Sequence, residues 1–277
     1  MNAKLLTRIM ILLVILTCAL YGTGAAESYS AITMRLLRYS GTVEIEDASG
    51  KPRFIMENAR FNSGESMKTG PESYAAVSLD SSKILTLDAE SRVEFAKNAN
   101  SLVMKLTQGS LLLDVQEKLN ENESLDIQTS TMVVGIRGTI VFVSVGEDPE
   151  QSALAEGAPS GQLTEVLNAK QSAGGQITTL GVLEGVAQLS YRDDTGTQRR
   201  LDVSAGQKAT LTDPDEDGLI EAAPALADMT AADLPAYVNA EIEADETLKN
   251  RVNDASSVLI NTGEPVQQEN PYAADGD

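Results

Sequence analysis

The sequence predicts a mainly β protein, a roll or solenoid-like sandwich of short strands, followed by a small acidic α-helical region. Three observations carry that prediction. Short β-branched and apolar runs recur between residues 32 and 211. Clusters of Gly, Pro, Asn and Asp punctuate them at 50–52, 62–64, 70–71, 80–82 and 98–100. No strand pattern alternates with a helix-length pattern, as a Rossmann-like fold would require.

The first 26 residues read as a signal peptide. Lys4 and Arg8 precede an apolar run at 9–20, and the small residues Gly22, Gly24, Ala25 and Ala26 follow it, which places cleavage near Ala26. The run is shorter than the ~20 residues that a membrane span needs. An uncleaved anchor and a leader lipidated at Cys18 stand as alternatives, although Thr17 is a poor neighbour for a lipidated cysteine. The expected location is extracytoplasmic, with membrane contact only through a retained or lipidated leader. Cys18 is the single cysteine, so the mature chain has neither an internal disulfide nor thiol chemistry.

Strands are expected at 34–37, 42–45, 74–79, 84–87, 92–95, 102–106 and 110–115. Residues 127–143, IQTSTMVVGIRGTIVFV, form the central stretch. Its alternation up to Val134 and its β-branched run from Thr139 predict two strands meeting at a corner made by Gly135 and Gly138.

Several of these pieces resemble the FecR domain family, which comprises extracytoplasmic regulators of ferric citrate uptake and free-standing relatives. The resemblance rests on VGIRGT at 134–139, GESMKTG at 64–70, AAVSLD at 75–80, LTQGSLL at 106–112, VLEGV at 182–186 and VSAGQ at 203–207. It spans roughly 36–209 in order and is more specific than any single glycine turn. It implies a compact β-roll and marks Gly64, Gly109, Gly135, Arg137, Gly138, Thr139, Gly185 and Gly206 as structural signature positions. Two departures stand out. Asp80-Ser-Ser82 replaces an Asp-Gly-Ser turn, and residues 146–175 form an insertion, read as a mobile flap in which 163–167 is helical or paired. Arg137 has two readings: its planar donor fork suits an anion, and an arginine in a turn commonly caps carbonyls or pairs with a carboxylate.

Beyond residue 211 the chain turns acidic. Sixteen Asp and Glu side chains stand against Lys249 and Arg251, so most of the net charge of -20 lies here. Residues 212–229 read either as an acidic linker or as a calcium loop. Asp213, Asp215 and Asp217 alternate ahead of Gly218, as hard oxygen ligands do at the start of an EF-hand-like loop. The twelfth position is Pro224, so Glu221 or Asp228 would have to close the site. A helical pair is expected over 230–260. Thr230 or Asp233 caps the first helix, Leu234, Tyr237, Val238 and Ile242 form its stripe, and Leu248, Val252, Ala255 and Leu259 form the second. Residues 261–277 are expected to be disordered.

The charge and the pI near 4.3 argue against a nucleic-acid partner. Histidine is absent, which removes His-based general bases and zinc ligands. Paired carboxylates at a sugar cleft could still act, with Asp80, Asp88 and Asp114 as nominees, but their spacing does not single them out. The expected function is that of an exported, non-enzymatic module, binding or scaffolding envelope glycan or protein, with calcium as the one cofactor in view. The alternative, which the resemblance implies, is a regulator of envelope signalling. Only eight residues precede the apolar run, too few for a cytoplasmic sigma-binding segment, so regulation would work by contact with another membrane protein.

Overall fold

A computed structural model describes residues 33–56, 58–147 and 175–256. The leader, the 163–167 segment, Leu259 and the 261–277 tail lie outside the described residues. Among the described residues sixteen strands form two sheets joined through one shared strand. The first sheet runs in the order β1 (Arg35–Ser40), β5 (Tyr74–Ser78), β6 (Lys83–Leu87), β8 (Ser101–Val115), β11 (Ile140–Glu147), β12 (Gln176–Glu184), β15 (Gln207–Asp213) and β16 (Ala225–Asp228). The second runs β3 (Pro52–Arg53), β2 (Val43–Glu46), β4 (Ser66–Thr69), β7 (Arg92–Asn98), β8 again, β9 (Ser124–Gln128), β10 (Met132–Ile136), β13 (Val186–Arg192) and β14 (Gln198–Ser204).

β8 belongs to both sheets. Its first part pairs with β7 and, in parallel, with β9; its second part pairs with β6 and β11. Residues facing the inner core are even before the bend (Leu102, Met104, Leu106) and odd after it (Leu111, Leu113, Val115), so the same inner face is kept as the strand changes sheet. Gly109 makes this possible. Its φ is +79°, and a Cβ there would lie 2.5 Å from Ser91 Cα and 2.8 Å from the Glu90 carbonyl oxygen. Other strands cross between sheets at similar tight corners, with a left-handed residue at Gly41, Glu72, Glu90, Gly138, Gly185 or Gly206. Neighbouring corners bond to each other, as where Ser91 Oγ donates to the Ser110 carbonyl and accepts from the Ser110 amide.

The mainly β roll with a helical end is therefore what the chain forms, with corrections of detail. The expected strands at 102–106 and 110–115 are one strand. The 127–134 run is not one strand but the end of β9, a turn over 129–131 and β10. The corner after it lies at Gly138 alone; Gly135 sits inside β10, opposite Asp126 and Gln188, without a positive φ. The expected insertion starts too early, because β11 runs to Glu147 and β12 resumes at Gln176. Nor does the sheet stop at 211, since β15 reaches Asp213 and β16 extends the edge.

The inner faces of both sheets enclose one core, in which Phe95 meets Phe61 at 5.1 Å between ring centroids. A second core lies on the outer face of the first sheet. There Leu112, Ile140, Phe142 and Leu183 meet Leu234, Val238, Ile242, Leu248 and Val252. The last five come from a short 3-10 turn (Ala231–Asp233) and its end, from α1 (Ala236–Ala244) and from α2 (Glu246–Ala255). Space for the Phe142 ring comes from Gly181, where a Cβ would fall 2.2 Å from Phe142 Cε1. Asp245 caps α2 by accepting from the Thr247 and Leu248 amides at 2.9 and 3.1 Å. Such a cap stabilises by about 0.5–2 kcal/mol relative to alanine.

Polar contacts fix the helices at their margins. Arg251 of α2 donates to Asp114 at 2.6 Å and to the Val115 carbonyl at 3.1 Å, and also pairs with Glu184. Arg38 pairs with Glu241, and Lys208 with Asp233. The acidic residues of the helical region are thus partly neutralised by cations of the β-roll.

Candidate functional site

Three places in the fold hold chemistry that the strands do not use. The first is the loop that follows β15. Asp213 ends that strand in register with Gln176, and its side chain is fully buried. Its Oδ2 accepts from the Gly218 amide at 2.9 Å, while its Oδ1 is buried without a hydrogen-bond partner among the described residues. Carboxylate oxygens of Asp213, Asp215 and Asp217 all lie within 4.8 Å of one another. Burial first, and then the neighbouring Asp217 and Asp215 charges, push the Asp213 carboxyl above its ordinary range against the pull of the Gly218 amide. Gly218 turns the chain at φ +79°, and Ile220 then drops into the inner core while its amide donates to the Arg192 carbonyl at 2.9 Å. Glu221, expected as a further ligand, is exposed and is not part of the cluster. A cavity of about 380 Å³ adjoins the loop, lined by Ser130, Thr131, Tyr191, Arg192, Asp217 and Gly218 among others.

The second place is the signature corner between β10 and β11. Arg137 is exposed, and among the described residues its side chain makes neither of the expected structural contacts, no carbonyl cap and no carboxylate pair. Thr139 is buried with its Oγ1 unpartnered among the described residues, and its Cγ2 would lie 2.8 Å from a Cβ at Gly185. Gly138 and Gly185 therefore approach each other as a packed pair of corners. Gly64 occupies a separate left-handed turn ahead of β4, at φ +86°, and Gly206 turns β14 into β15.

The third is a groove of about 720 Å³ between the first sheet and the helices, lined by Thr86, Asp88, Asp114, Tyr237 and Glu241 among others. Sequence reasoning did not find it, because its walls come from segments some 150 residues apart. Tyr237 Oη is buried there without a hydrogen-bond partner among the described residues. Its pKa is raised well above the ordinary value, first by burial and then by the Asp88 charge. Asp88 and Asp114 do share this groove. Asp114 is tied to Arg251, whereas Asp80 lies elsewhere in a buried pair with Lys83. Of the three nominees only Asp88 lines the groove outside an ion pair among the described residues.

The architecture defines a two-sheet β-roll whose strands switch sheets at left-handed corners, with two helices as a third layer. A model of the FecR protein family matches residues 65–158, which contain β4 to β11 and the Gly138 corner. The resemblance read from the residues is shown for that segment; the 182–186 and 203–207 motifs lie outside it. Two crystal structures, at 1.65 and 2.50 Å, of a candidate anti-sigma factor from Parabacteroides distasonis ATCC 8503 are similar in structure at 9% identity and a TM-score of 0.39. Each similarity covers 59% of this chain and 59% of the other. No curated protein matches the chain. Among the described residues no helix is long and apolar enough to cross a membrane.

Proposed function

We propose that the chain is an extracytoplasmic binding or scaffold module that holds a protein or glycan of the cell envelope and carries out no catalytic step. The observation that supports this most is the contrast between acids that are tied up within the fold and large apolar side chains left exposed on it. Asp80, Asp114, Glu46 and Asp233 are all engaged in ion pairs within the fold. Phe54 and Met56, by contrast, stand 93% and 72% exposed beside the two-residue edge strand β3. Large apolar side chains next to a short sheet edge are the groups by which a partner chain gains contact area and main-chain hydrogen bonds.

The test is co-sedimentation of the mature chain, starting at Glu27, with purified cell-wall sacculi, alongside photo-cross-linking from position 54 in envelope membranes. Depletion from the supernatant is the result expected for a glycan partner. A discrete adduct formed from position 54 but not from the exposed position 195 is the result expected for a protein partner. Failure of both would contradict the reading. A regulator of envelope signalling is the second reading, supported by the FecR match over residues 65–158. It requires the adduct to be an integral membrane protein.

A further inference from the structure

We propose that the 213–218 loop binds a calcium ion, which the binding-module reading neither requires nor supplies. Three carboxylates that no Lys or Arg neutralises converge within 4.8 Å, and among the described residues none of them takes part in an ion pair. Convergent acids alone would be an ordinary acidic surface. What separates this cluster is Asp213, fully buried, with one carboxylate oxygen held by the Gly218 amide and the other left without a hydrogen-bond partner among the described residues. A buried polar atom in that state is costly, and a cation shared with Asp215 and Asp217 removes the cost and the mutual repulsion together.

The loop is anchored at both ends. Asp213 is the last residue of β15, and Ile220 is held in the core and bonded to Arg192. The carboxylates therefore converge on a fixed frame. An all-oxygen carboxylate set suits Ca²⁺ better than Mg²⁺, which demands near-ideal octahedral geometry and gives up water reluctantly. Three acids with no bidentate closing residue, since Pro224 holds the twelfth position, place the affinity in the weak range of extracellular calcium modules, roughly 10⁻⁴ to 10⁻³ M. Solvent calcium outside a cell can reach that range. The ion would then act as a staple between the end of the first sheet and the β13 end of the second.

The experiment is calorimetric titration of the full chain, stripped with a chelator, with CaCl₂, together with melting curves in CaCl₂ and in MgCl₂ at equal ionic strength. The magnesium arm controls for general screening of the acidic chain. Expected are saturable binding heat and a melting temperature that rises with calcium more than with magnesium. Asp215→Asn with Asp217→Asn, both exposed, should weaken binding at least ~10-fold without lowering the calcium-free melting temperature, because two mutually repelling charges beside Asp213 are removed. The proposal is overturned by absence of binding heat together with equal shifts in the two salts. It is also overturned by a calcium-specific shift that survives the double substitution. Sacculus binding by the doubly substituted chain separates this outcome from that of the module reading, which does not depend on the loop.

Discussion

The two cores of this protein are built from the same strands and are read from sequence in different ways. The inner core takes alternate residues, such as Leu111, Leu113, Val141 and Val143, whereas the outer core takes the residues between them, Leu112, Ile140 and Phe142. Strands that serve both cores lose their alternation and become continuous apolar runs, as at 111–113 and 140–143. A strand with one covered face keeps it. β13 alternates exposed and buried over its first four residues, because none of the described elements covers its outer side there. An unbroken apolar run in an antiparallel roll thus signals a further layer, and here the acidic C-terminal region supplies it.

The sharpest way to separate the two cores is to empty one of them. Phe142→Ala should cost about 3–5 kcal/mol, the usual range for a buried phenylalanine. It should also release the helices, seen as dye binding to the uncovered sheet face and a loss of helical signal ahead of the main transition. Phe95→Ala, in the inner core, should cost a similar amount and melt as a single transition. Identical two-phase melting in both variants would show that the cores are not distinct.

A smaller effect is expected at the margin of the helical layer. The Lys208 ammonium, with the amide and hydroxyl of Thr230, holds the Asp233 carboxyl down at about 2. Its folded value lies below the roughly 4 of a free aspartate, so its contribution is complete above about pH 4 and is lost as the pH falls toward 2. The melting temperature should decline over that window, and Asp233→Asn should make the decline shallower. An unchanged slope in the variant would remove Asp233 from the account.

Much of this was legible in the chain. The strand runs, the left-handed corners at Gly109, Gly138, Gly185 and Gly206 and the stripe of α1 and α2 follow from residue type and spacing. What escaped did so for physical reasons. The turn at 129–131 has no Gly or Pro, because Thr129 Oγ1 accepts from the Thr131 and Met132 amides at 3.3 and 3.1 Å and closes the turn by itself. Gly135 and Gly138 look alike in sequence, and only the pairing of β10 with β9 and β13 decides which of them bends. Arg251 reaches Asp114 across 137 positions, a contact that no local pattern encodes. At the candidate cation site the three aspartates and the glycine were legible, whereas the burial and unpartnered oxygen of Asp213 were not, since they depend on where β15 ends.

The claim on which the rest depends is that the acidic C-terminal region is a layer of the domain and no appendage. Amide hydrogen exchange on the full chain tests it most directly. The account predicts that amides around Val238–Ile242 and Leu248–Val252 are protected by at least ~100-fold and are released together with those of β11 and β12 under mild denaturant. Exchange of those helical amides at the unfolded rate, with β11 and β12 still protected, would contradict it.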